Sequence, residues 1–165
     1  MVLLTLFIDL IDLPYESANG DGWELRTYGT TDGLVPMVEP EREVSERRPQ
    51  DNLDIRPFPV IWHPRLELPS RDDTPNELLD LWDDLAERDG AGELPDRYGL
   101  KIGGWPATVQ AEVDWSLTGK GRVADAEFVL QVDSDEKAHL WIGDSGVVYV
   151  GWSPTAGWLL SWQCY

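Results

Sequence analysis

Four carboxylates near the C-terminal end, Asp133, Asp135, Glu136 and Asp144, come nearest to chemistry by type and spacing. Hard divalent cations take oxygen ligands, so such a group is a candidate cation site and, through a bound ion, a candidate metal-assisted hydrolase around Asp133 and Asp144. An EF-hand loop started at Asp133 fits only its first two ligand positions. Lys137 then stands at the third and Ala138 where glycine is obligatory, so that motif is rejected. A polar turn capped by its own side chains is the favoured reading. Gly143-Asp144-Ser145-Gly146 sets a serine between glycines with His63 upstream, the types needed for a nucleophile and its base. A triad is defined by geometry, however, and one tetrapeptide followed by Val147-Val148 reads as a hairpin turn. His63 and His139 have no Cys, His or Glu at metal-ligand spacing, and Cys164 is a lone thiol. No catalytic residue, cofactor or metal is expected, and the reading leans away from an enzyme.

The aromatic count is the other unusual feature. Nine tryptophans offer large apolar area with one donor each, which suits both core and binding surface. Apolar patterning around Trp82, Trp115, Trp141, Trp152, Trp158 and Trp162 predicts a core between helix and sheet. Trp105, between Gly103-Gly104 and Pro106, is the candidate for an exposed indole that stacks on a sugar or other flat ligand. Trp105, Asp133, Asp135 and Asp144 are thus the candidate ligand-binding residues.

Charge narrows the partners. There are 31 acids against 13 bases, a net of −18, and a surface of that sign repels nucleic-acid backbones and anionic membranes. The densest basic run, Arg42 to Arg48, is interrupted by Glu43 and Glu46. Half of the surplus lies between Asp72 and Asp96, with ten acids and one base, Arg88. A basic protein is the natural partner of such a field, although acid excess with arginine preferred over lysine also arises as plain solvation.

These residues need elements to position them. At 165 residues the chain suits one domain, 1–165. The opening Met1 to Pro14 run lacks a basic leader, carries Asp9 and Asp12, and is too short to span a bilayer, so it reads as a buried strand in a cytoplasmic protein. Asn19-Gly20-Asp21-Gly22 predicts a tight reversal before a strand at Trp23 to Tyr28. Residues 36–75 hold eight of the twelve prolines and predict an extended strap anchored by Phe58, Val60, Ile61 and Trp62. A mobile loop is expected from Glu39 to Gln50.

Thr74-Pro75-Asn76-Glu77 predicts a helix N-terminus, capped by Thr74 with Pro75 as the first helical residue. Leu78, Leu79, Leu81, Trp82, Leu85 and Ala86 form its apolar stripe, and Gly90 ends it. Asp80, Asp83, Asp84 and Glu87 form the opposite, acidic face. Past Gly103-Gly104 the period becomes two. Val109, Ala111, Val113, Trp115 and Leu117 predict one half-buried strand, and Phe128 to Val132 the next. Leu140 to Ile142 and Val147 to Trp152 predict hairpin arms, with Trp158 to Cys164 closing a meander. The class is α+β, mostly antiparallel sheet.

Gly103-Gly104-Trp105-Pro106 with Gln110, Phe128 to Glu136, Gly143 to Gly146 with Tyr149, and the terminal Trp162-Gln-Cys-Tyr together resemble the YwqG-like domains, a bacterial family of unknown function. The resemblance implies a compact α+β domain with a folded antiparallel sheet and carries no catalytic residue to transfer. Some relatives bear further cysteines where this chain has Ile8 to Glu16 and Ser153 to Gly157, so no metal or redox role comes with it. The reading that follows is an acidic protein-binding module of the immunity or antitoxin kind, with Asp80, Asp83, Asp84 and Glu87 steering a basic, toxin-like partner. The alternatives are a small-ligand or carbohydrate binder at Trp105 and the metal-assisted hydrolase.

Overall fold

The computed structural model describes residues 3–35, 55, 59–65, 67–69, 74–88 and 98–165. Among these residues, eight strands and one α-helix occur in chain order: β1 (Leu3–Ile8), β2 (Trp23–Tyr28), α1 (Leu79–Arg88), β3 (Lys101–Ile102), β4 (Ser116–Leu117), β5 (Gly121–Arg122), β6 (Glu127–Asp133), β7 (Val147–Ser153) and β8 (Gly157–Gln163). All strand pairs are antiparallel. The architecture is α+β and mostly antiparallel sheet, the class expected from the sequence. Its centre is a four-stranded sheet in the order β3-β6-β7-β8; β1-β2 and β4-β5 are separate ribbons.

Both faces of the central sheet are covered, and β7 shows why its sequence is so apolar. Val148 and Val150 point to one core with Trp23, Leu25, Leu130, Ile142 and Leu160, onto which the β1-β2 ribbon packs. Val147 and Tyr149 point to the other, with Val113, Trp115, Leu117 and Leu159. A strand buried on both sides has no wet face to alternate with, hence the unbroken Val147-Val148-Tyr149-Val150. Fully burying one such side chain contributes roughly 1.5–3 kcal/mol.

In β6 the register shifts between Phe128 and Leu130. One extra residue on a strand reverses the facing of everything beyond it. Leu130 and Val132 therefore join the first core, whereas Phe128 packs with the second.

Several expectations are corrected. The β1-β2 connection runs from Asp9 to Gly22 and contains the predicted turn, with Asp21 N on Ala18 O at 3.0 Å and Gly20 and Gly22 at positive φ. It is longer than a hairpin loop, however, and is also held by Asp9 N to Gly22 O at 2.9 Å and by the Trp162 indole on Pro14 O at 3.1 Å. Leu140 to Ile142 forms no hairpin arm, since only Leu140 bridges back to Asp135. Residues 109–115 are not a strand either; only Ser116–Leu117 pairs, with Gly121–Arg122. Their amides find side-chain partners instead, as shown below. The helix begins with a 3-10 turn, Asn76–Leu78, which Pro75 precedes and does not join. Leu78 and Leu81 are 46% and 55% exposed, so the predicted apolar stripe is only partly covered.

The tryptophan core is also corrected. Trp23 and Trp115 are buried, but Trp141 and Trp152 are half exposed, and α1 contributes to neither core among the described residues. Trp82 reaches Pro69 O through its indole at 2.9 Å. Val60, Ile61 and Trp62 are exposed and not buried anchors. Phe58, Gly90, the Glu39 to Gln50 run and the Ala86 side chain lie outside the described residues.

Candidate functional site

Two of the four carboxylates near the C-terminal end, Asp133 and Asp135, bond backbone amides. Asp133 Oδ2 accepts the Gly99 amide at 2.9 Å and Asp135 Oδ1 the Ala138 amide at 2.9 Å. Asp144 is exposed on the loop between β6 and β7. No three Asp, Glu, His or Cys side chains converge to hold a metal among the described residues. The cluster is a loop-closing device, reinforced by Ser134, whose hydroxyl donates to Gly146 O at 2.8 Å and accepts from Ile142 N at 3.0 Å.

The two glycines of Gly143-Asp144-Ser145-Gly146 are explained by the same loop. A Cβ on Gly146 would lie 2.1 Å from Gln163 O, so the backbone must come bare against β8. Ser145 is exposed with φ 57°, a turn conformation. His63 sits elsewhere, in the wall of a cleft of about 610 Å³ lined by residues 60–65, 67, 98 and 100–104.

The acidic helix keeps its expected face. Asp80, Asp84 and Glu87 are exposed, and Asp83 is half-buried. Leu78 and Leu81, on the apolar stripe of the same helix and the 3-10 turn that leads into it, are also uncovered.

Trp105 is held by a small clamp that sequence reasoning missed. Lys101 Nζ pairs with Glu67 Oε1, both side chains being mostly covered at 16% and 13% exposure. The second oxygen, Glu67 Oε2, accepts the Trp105 amide at 3.0 Å. Gly104 makes room for that carboxylate: its φ is +73°, and a Cβ there would meet Glu67 Oε2 at 2.1 Å. The indole emerges 43% exposed. It borders a cleft of about 370 Å³ lined by Trp105, Pro106, Val113, Trp115, Glu127 and Phe128 among others. That volume is within the range of small-ligand sites.

Behind the cleft lies a polar network of three buried side chains, Gln131, Tyr149 and Gln163. Gln131 Oε1 accepts Ala107 N at 2.9 Å, and Gln163 Oε1 accepts Val109 N at 2.9 Å and Gln110 N at 3.2 Å. Gln163 Nε2 donates to Ala111 O at 2.8 Å, and the Tyr149 hydroxyl to Ala107 O at 2.8 Å. Two amide side chains thus do for residues 107–111 what a neighbouring strand would do. Burial first, and then the charges of Tyr98 and Asp133, hold the Tyr149 hydroxyl well above its ordinary pKa, so it stays a donor.

With this geometry in place, the comparison with known families is specific. The profile described as Domain of unknown function (DUF1963) matches residues 12–155. The chain belongs to the DUF1963 family. No curated protein matches it. The DUF1963 span contains the Glu67–Trp105 clamp, both clefts, Gln131 and Tyr149, whereas Gln163 lies past its end. Membership in DUF1963 assigns no activity. No helix among the described residues is long and apolar enough to cross a membrane.

Proposed function

We propose that this DUF1963 protein, YwqG-like in its motifs, is a non-catalytic binding module that recognises a basic protein through α1, in the manner of an immunity or antitoxin protein. The observation that carries this reading is the pairing, on one short helix, of exposed Asp80, Asp84 and Glu87 with uncovered Leu78 and Leu81. Carboxylates steer a cationic partner and raise its association rate, while desolvated leucines supply affinity. The segment carrying half of the −18 net charge encloses this helix.

The test is capture of basic host proteins on the immobilised chain at low salt, compared with a variant in which Asp80, Asp83, Asp84 and Glu87 are lysine. Capture is expected to fall as salt shortens the screening length from about 30 Å at 0.01 M to about 8 Å at 0.15 M. It is expected to vanish in the charge-reversed variant, with folding checked by circular dichroism. Equal capture by both proteins defeats the proposal.

A second reading has its own observation. Trp105 stands half exposed at a cleft that Trp115 and Phe128 also line, the arrangement of a small-ligand or carbohydrate site.

A further inference from the structure

The cleft at Trp105 combines three features that point to one ligand chemistry. Its wall carries three aromatic side chains, Trp105, Trp115 and Phe128. Their rings are not stacked on one another among the described residues, where the ring pairs are Tyr98–Tyr165 and Trp152–Trp158. Trp105 is half exposed and Phe128 half-buried, so these two offer the open ring surface, while Trp115, buried in the second core, backs the wall. The wall also carries Glu112 and Glu127. Arg122 neutralises Glu112 at 2.6 Å, but no base pairs with Glu127 among the described residues, and Glu127 is exposed. Finally, the whole chain carries −18, a field that concentrates cations and depletes anions around it.

The aromatic wall is built, not incidental. The bulge in β6 turns Phe128 toward the side of the sheet that holds Tyr149 and Trp115. Trp115 lies across Gly151, where a Cβ would come within 3.0 Å of the indole ring and of Glu127 O. Trp105 is set by the Glu67 carboxylate, which Lys101 holds in turn. Three different long-range devices deliver three rings to one cleft.

We propose that this cleft binds a small organic cation of the alkylated-ammonium class, with Trp105, Trp115 and Phe128 as its aromatic wall and Glu127 as its counter-charge. The proposal rests on the second reading above and narrows its ligand. The attraction is between a diffuse positive charge and ring quadrupoles, strongest when water is excluded and indole is the ring. A weakly hydrated quaternary ammonium loses little on entering such a cleft, and Glu127 at the surface adds attraction without a buried charge to desolvate.

The experiment uses choline and its uncharged isostere 3,3-dimethylbutan-1-ol, with maltotriose as a flat neutral control. Binding is followed by nuclear magnetic resonance shifts of the tryptophan indole N–H signals. Choline is expected to shift the Trp105 signal saturably and to bind at least about tenfold more tightly than the alcohol. Trp105→Ala and Phe128→Leu are expected to abolish that preference, and Glu127→Gln to weaken choline severalfold. Trp152→Ala, whose indole pairs with Trp158 at 4.9 Å, is expected to leave choline binding unchanged. Equal affinity for choline and the alcohol, or maltotriose binding alone, overturns the cation assignment and leaves a small-ligand site standing. Binding of none of the three overturns both. Choline binding that survives Trp105→Ala places the cation elsewhere and defeats the proposal.

Discussion

Gln163 shows most sharply how one residue can stand in for an element. Its amide accepts two backbone N–H groups and donates to a backbone carbonyl, serving residues 109–111 from more than 50 positions away. Replacing it by leucine keeps comparable volume and deletes every one of those partners. Backbone groups left unpaired under partial burial cost about 1–3 kcal/mol each. Gln163→Leu is therefore expected to lower unfolding free energy by about 3 kcal/mol or more in a denaturant titration. The loss should appear first as faster hydrogen exchange at the Val109 and Gln110 amides. A midpoint unchanged from wild type would show that solvent satisfies these groups equally well. Nothing in the sequence marks this role, because a glutamine in a terminal strand pattern looks like any polar neighbour. Glu67 is the same case: one acid among 31, distinguished only by Lys101 and Trp105 closing around it.

At the level of elements, the β7-β8 hairpin is locked from outside its own turn. Ser153 Oγ donates to Asp125 Oδ1 at 2.7 Å, Thr155 Oγ1 donates to the same carboxylate at 2.9 Å, and Ser153 Oγ accepts the Thr155 and Ala156 amides. Hydrogen bonds from Ser153, then from Thr155, hold the Asp125 carboxyl below its ordinary value. In the unfolded chain such a group titrates near about pH 4. A depressed folded value means the ionised clamp favours the folded state above that pH, and the contribution is lost as pH falls through the folded value. Asp125→Asn is expected to flatten the acid limb of the stability profile below about pH 4, read by thermal unfolding at successive pH values. An acid limb identical to wild type would remove Asp125 from the account. Strand positions at this scale are legible in sequence: β2 spans the predicted residues, and β6, β7 and β8 fall within one residue of theirs. The 109–117 alternation misleads because period two reports one buried face, and a chain can bury alternate residues without a neighbouring strand to pair with. Burial does alternate from Val113 to Leu117.

For the molecule as a whole, the charge imbalance is the governing quantity. A net of −18 in 165 residues makes the compact state repel itself, and that repulsion is screened by salt. The unfolding midpoint is expected to rise between about 10 mM and about 500 mM sodium chloride. A flat or falling midpoint would show that local ion pairs outweigh the net field. Screening should act oppositely on recognition through α1, so stability and capture of a basic partner are expected to move in opposite directions along the same salt series.

The sequence alone determined strands β2, β6, β7 and β8, the acidic helix and the turn chemistry around Gly143 to Gly146. Each of these is written within a few neighbouring residues as periodicity or as a backbone conformation few side chains tolerate. Only the tertiary structure decided that Asp133 holds the distant Gly99 amide, that Gln131 and Gln163 replace a strand, and that Trp105, Trp115 and Phe128 share a cleft. Those outcomes depend on which distant backbone group or ring arrives beside a given side chain. That arrival is set by sheet order, one bulge in β6 and the packing of two opposite faces.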